Sequence, residues 1–150
     1  MASVFQKLNL KDQKEILVVN APRSFESELA GLRGVAVRRS VKDVKPIEFS
    51  LAFVIKQSEV DSLGKSIAKK AEGDAVIWFA YPKGSSKKYK CEFNRDTGWE
   101  TIGKLGLEPV RMVAIDEDWS AVRFRRVEFI KTLTRGRAVS PQAQARLAKK

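Results

Sequence analysis

Apolar residues along this chain gather in short runs separated by amphipathic and polar stretches, and the spacing of those runs predicts the fold. The densest run is Ala75-Val76-Ile77-Trp78-Phe79-Ala80-Tyr81, the pattern of a strand over 74–81 buried on both faces of a sheet. Pro82 lacks a backbone donor and ends the ladder. A similar β-branched run predicts a strand over 15–20, closed by Asn20-Ala21-Pro22, and Phe49-Ser50-Leu51-Ala52-Phe53-Val54-Ile55 predicts another. Val35-Ala36-Val37 is a shorter strand, and the interval 41–48, with Pro46, reads as loop or one helical turn.

Helical spacing appears between the strands. Ser24 is placed to cap a short helix in which Phe25, Leu29 and Leu32 share a face, with Gly31 or Gly34 as its stop. Ser58 precedes Val60, Leu63, Ile67 and Ala71, which recur along one helical stripe up to Gly73. A third helix is expected over 95–104, capped by Asn94 or Asp96 and burying Trp99, Ile102 and Leu105. Strands over 107–115 and 121–129 follow, joined by the short acidic turn Asp116-Glu117-Asp118. Strands alternating with helices predict a Rossmann-like three-layer α/β sandwich with a mostly parallel sheet, and the short last connection makes its final pair an antiparallel hairpin.

The length of 150 residues suits one domain, over 1–130, followed by a basic, disordered tail over 131–150. The net charge of +11 is unevenly spread: Lys131, Arg135, Arg137, Arg146, Lys149 and Lys150 supply more than half of it. That tail, together with Arg123, Arg125 and Arg126, makes nucleic acid or another polyanion one candidate partner. No apolar run reaches the roughly 20 residues of a membrane helix, and the first residues lack the apolar core of a secretory signal. A single cysteine, Cys91, forms no internal disulfide, which favours a cytoplasmic monomer. The absence of histidine removes the commonest general base and metal ligand, so no metal, cofactor or catalytic residue is expected.

Candidate chemistry lies where parallel strands deliver their carboxyl ends to one rim. After the central strand come Lys83, Gly84, Ser85, Ser86, Lys87, Lys88, Tyr89 and Lys90, then a helix expected to open at Arg95 with free backbone amides. An anion there meets ammonium groups, hydroxyls and the positive helix end together. Asn20, Ser24, Lys83, Ser85, Ser86, Lys87, Lys90 and Arg95 are therefore the candidate ligands of a small phosphate-bearing molecule. Against this stands the simpler reading of the lysines as a solvated loop. Asp116, Asp118 and Trp119 form an acidic and aromatic rim that can serve as general acids, a Mg²⁺ perch, a counter-charge or a stacking platform, or simply as a hairpin turn with Trp119 packed over it. Cys91 reads as a small buried hydrophobe.

The order of elements resembles that of Rossmann-like methyltransferases. That resemblance implies a strand order of 2-1-3-4-6-5 with the last strand reversed. It also implies a glycine-rich turn after the first strand and a carboxylate after the second. Here those positions read Asn20-Ala21-Pro22-Arg23-Ser24-Phe25 and Arg38-Arg39-Ser40, which argues against methyl transfer. The segments NAP-x-SFE-x-EL, WFAYPKGSSKKYKCEFNRDTGW and AIDEDWSAVRFRR resemble a bacterial family of small α/β proteins of unknown function. The sequence thus points to a non-enzymatic module binding a small anion or nucleotide phosphate at the strand carboxyl rim. A diverged methyltransferase-like enzyme and a polyanion-binding protein are its alternatives.

Overall fold

Twelve residues, Ala71–Pro82, form the longest strand (β4) and divide the molecule in two. Their side chains are apolar in succession from Ala75 onward, so both faces of β4 are packed, and Ile77, Trp78 and Phe79 are buried. The computed structural model describes residues 4–11, 13–44, 46–84, 86–91 and 98–130. The expected site positions Ser85 and Arg95, the expected caps Asn94 and Asp96, and the tail over 131–150 lie outside these residues.

Six strands make one sheet: β1 (Glu15–Val19), β2 (Ala36–Arg38), β3 (Ile47–Phe53), β4, β5 (Leu107–Ala114) and β6 (Trp119–Arg126). Their order is β2-β1-β3-β4-β6-β5, as the methyltransferase resemblance implies. The pairs β1·β2, β1·β3 and β3·β4 are parallel; β6 runs antiparallel to both β4 and β5. On one face, Val4 and Phe5 of α1 (Val4–Lys7) and Leu29 of α2 (Glu26–Ala30) close over Phe49, Phe53 and Trp78. The Trp78 indole donates to the carbonyl of Leu8 at 2.7 Å, which pins the lead-in segment to the central strand. On the other face, Val60 and Ile67 of α3 (Gln57–Lys70) and Ile102 of α4 (Glu100–Lys104) close over Ile77, Phe79 and Phe124. A Cβ on Gly64 would lie 3.0 Å from Ile102 Cγ1, so the missing side chain lets the two helices approach.

Several local expectations are corrected. Ser24 does not cap a helix; Arg23–Phe25 is a 3-10 turn entered from Pro22, whose fixed φ suits that position. Helix α3 is entered at Lys56 rather than Ser58, because the Glu59 carboxylate reaches back to accept from the Ile55 and Lys56 amides at 2.8 and 2.9 Å. Ala71 and Gly73 belong to β4, with Gly73 at φ 58, a bend inside the strand rather than a helix stop. The described α4 starts at Glu100, not at Arg95, and is five residues long. β6 stops at Arg126, and Val127–Phe129 turn into a 3-10 helix. At that boundary the Arg126 guanidinium donates to the Ala68 and Ala71 carbonyls at 2.8 and 2.9 Å, satisfying the end of α3.

Candidate functional site

Two places on the carboxyl rim are candidates, because open parallel sheets bind ligands where their strand order reverses. The reversal here falls between β1 and β3. Residue Asn20 ends β1 in the left-handed region, at φ 59, one of the few non-glycine types that tolerates it. That turn aims its side chain across the gap: Nδ2 donates to the Phe53 carbonyl at 3.4 Å and to Glu59 Oε2 at 3.3 Å. Phe25 fills the space beneath, its ring 5.0 Å from Phe53. Ser24 is exposed on the 3-10 turn. Beyond β2, Arg39 is held bidentately by Glu26 at 2.8 and 2.9 Å, and the Glu26 carboxyl is thereby pulled below its usual range. The switch point is spanned by the protein's own side chains.

The second place is open. At the end of β4 a cleft of about 680 Å³ is lined by Tyr81, Pro82, Lys83, Gly84, Ser86, Tyr89, Lys90, Cys91, Met112 and Ser120. The register builds it: Tyr81 pairs with Ser120 and Pro82 with Trp119, so the amino end of β6 arrives at the carboxyl end of β4. The loop 83–91 is tied down from that side. Lys83 donates its amide to the Asp118 carbonyl at 2.8 Å, and the Ser86 hydroxyl donates to Asp118 Oδ1 at 2.9 Å. Ser86 Oγ in turn accepts from the Lys88 and Tyr89 amides at 3.3 and 3.2 Å. The loop thus carries Lys83 and Lys90 into the cleft on a braced backbone, while Lys87 and Lys88 stay exposed on its outside.

The acidic turn braces the loop and shapes itself. Asp116 Oδ1 accepts from the Asp118 and Trp119 amides at 2.8 and 2.9 Å, the local turn chemistry of aspartate. Trp119 is buried rather than part of an open rim, edge-on to Phe53 at 5.1 Å and under Tyr89 at 4.9 Å. Asp118 lies 4.0 Å from the Lys88 ammonium, a counter-charge to the basic loop.

Of the expected site residues, Lys83, Ser86 and Lys90 come together in one cleft. Asn20 and Ser24 do not join them, nor does the exposed Lys87. Helix α4 offers no anion seat, since its first turn carries Glu100 and it spans only five residues. Sequence reasoning missed Tyr81, Tyr89, Met112 and Ser120. The strand order would have found Ser120, because a reversed β6 beside β4 must bring its first residues to that rim. Among the described residues, no cluster of carboxylates, cysteine or histidine is arranged to hold a metal ion. Nor is any described helix long and apolar enough to cross a membrane.

Comparison with solved structures places this architecture. A SAM dependent methyltransferase from Aquifex aeolicus superposes with a TM-score of 0.55 at 12% identity, covering 83% of this chain and 88% of that one. The fold is methyltransferase-like. A fibrillarin pre-rRNA processing protein from Methanococcus jannaschii gives 0.51 at 11% identity, covering 77% of this chain and 67% of that one. An S-adenosylmethionine-dependent methyltransferase from Clostridium acetobutylicum gives 0.50 at 6% identity, with 81% and 88% covered. At these identities the likeness is one of fold. No family model and no curated sequence matches the chain.

Proposed function

We propose that this chain is a diverged methyltransferase-like protein that takes a small phosphate-bearing ligand in the cleft at the end of β4. The observation that carries the reading is the convergence of Lys83 and Lys90 with Ser86 and Ser120 in an open concavity also lined by Tyr81 and Met112. Small-ligand sites combine this concave, partly apolar shape with a few placed polar groups. Two ammonium groups supply charge-assisted hydrogen bonds to an oxyanion, and the half-buried Tyr89 ring offers a surface for a planar ligand body. A site of this kind supports a Kd in the millimolar to micromolar range, roughly 4–8 kcal/mol.

Catalytic methyl transfer is a second reading, favoured by the shared fold and strand order at least as strongly as binding alone. The residues at the β1–β3 switch point do not fit S-adenosylmethionine there. The turn after β1 has no glycine to let a ligand approach the backbone, Asn20 and Glu59 bridge the gap, and Arg39 with Glu26 stands beyond β2.

Backbone NMR titration at low salt with orthophosphate, adenosine monophosphate and S-adenosylmethionine separates the two. Saturable shifts on Lys83, Ser86, Lys90 and Ser120 are expected with the phosphate ligands, and the Lys83→Ala/Lys90→Ala double variant should erase them. Shifts spread over all lysines without saturation would sink the cleft reading. Micromolar binding of S-adenosylmethionine, with shifts on Asn20–Ser24, would establish the second reading in its place.

A further inference from the structure

On β6, Trp119 and Ala121 point into the core beneath α1 and α2, so alternation puts Arg123 and Arg125 on that same face. Arg111 of β5 is paired directly with Arg123 and shares the face. The three arginines are not equivalent. Arg125 is spoken for: its Nε and Nη2 donate to the two oxygens of Asp74 at 2.8 and 2.6 Å, and it stands across from the buried Glu108. The neighbouring Arg126 points to the opposite face, where it caps α3. Arg111 and Arg123 remain opposite one another, and no ion pair to a described residue holds either. The Arg123 Nε is buried without a hydrogen-bond partner.

Like charges directly opposite on paired strands are destabilising. A buried guanidinium donor left unpaired adds a desolvation penalty. Burial lowers the Arg123 guanidinium below the ordinary arginine range, against the pull of Asp74 and with repulsion from Arg125 and Arg111. An oxyanion seated between the two side chains relieves the repulsion, and the planar guanidinium fork matches the geometry of a phosphate group.

We propose that Arg111 and Arg123 form a docking point for the phosphodiester backbone of a nucleic acid, on the sheet face turned away from the cleft. The location favours a polymer over a small molecule: these residues sit on a strand ribbon at the sheet edge, whereas small ligands take concave sites. The net charge of +11 supplies the long-range attraction that a polyanion needs.

Fluorescence anisotropy with a short labelled single strand and its duplex, over a salt series, tests this. The Arg111→Gln/Arg123→Gln double variant should weaken binding and flatten the plot of log K against log salt by about 0.7 per lost contact on the single strand and about 0.9 on the duplex. A Lys149→Gln/Lys150→Gln variant loses the same charge and should lose less. Arg111→Glu places an ion pair across from Arg123, so it should raise the melting temperature while binding falls, which separates docking from folding. Equal losses in the tail variant, unchanged binding in either arginine variant, or equally tight binding of poly-glutamate would overturn the proposal.

Discussion

At the carboxyl ends of β1 and β3 the strand order reverses, yet Asn20, Phe25 and Glu59 fill the gap. At the end of β4, beside the antiparallel β6, the strands open instead into a cleft with two lysines. The contrast teaches that topology creates the opportunity for a site at a rim, and the loop residues decide whether it is used. Asparagine in a left-handed turn closes one opening by reaching across it. A serine bonded to an aspartate on the neighbouring hairpin props the other open.

The two regions share β4 as their support, so the largest effect should come from its middle. Phe79 is fully buried beneath Trp99 and Phe124. Phe79→Ala should cost about 3–5 kcal/mol through lost burial and a residual cavity. Urea denaturation should show both regions melting together in one transition; a near-neutral variant would mean that this strand is not the common core.

Opening the closed region comes next in size. Glu59→Ala removes the acceptor for the Ile55 and Lys56 amides as well as the Asn20 bridge, and should cost about 0.5–2 kcal/mol, as other helix-cap losses do. Phosphate affinity in the cleft should be unchanged, as titration of the variant will show. A parallel loss of affinity would mean that the two regions form one site.

The reverse substitution should separate the regions the other way. Lys83→Ala with Lys90→Ala removes the charges of the cleft while touching no core contact, and should change stability by less than about 0.5 kcal/mol. Phosphate binding should disappear. Thermal melts with and without millimolar phosphate give both readings, and a large loss of stability without ligand would show the lysines to be structural.

Much of this contrast was legible in the sequence. The apolar run ending at Tyr81 identified the central strand, because a strand buried on both faces needs no alternation. The polar stretch after Pro82 identified the loop of the cleft, whereas the glycine-free turn after β1 argued only against methyl transfer, and Asn20 and Ser24 were expected to join the anion site, which they do not. What escaped was everything set by distant partners. Ser24 and Ser58 have the chemistry of caps, but Pro22 and Glu59 control those entries through backbone geometry and a side chain reaching back. Arg126 looked like one more exposed arginine beside Arg123 and Arg125. Its role as a cap on α3 depends on two carbonyls more than fifty residues away. The tyrosines and Met112 of the cleft were invisible for the same reason, since pattern alone does not show which faces of a hairpin and a loop will meet.

The smallest expected effect serves as a control outside both regions. Asp74 is joined to Arg125 at 2.6 Å, and the hydrogen bonds from that guanidinium hold its carboxyl below the ordinary aspartate range. A group whose pKa is lower in the folded state stabilises the fold above its unfolded value, about 3.9 for aspartate. That contribution is lost as the pH falls through the lower, folded value. Both side chains are one-third exposed, so water and salt screen the pair, and its worth is about 0.2–1 kcal/mol. Asp74→Asn should therefore lower stability by about that amount at neutral pH, and the difference from the parent protein should vanish in acid. Denaturant titrations of both proteins from neutral pH down to pH values below the folded aspartate value will measure it. Since neither Asp74 nor Arg125 lines the cleft or the β1–β3 gap, phosphate affinity at neutral pH should be identical in the two proteins. A change in that affinity would show that the opposite end of β4 and β6 is coupled to the cleft, and the independence of the cleft from the rest of the sheet would then fail.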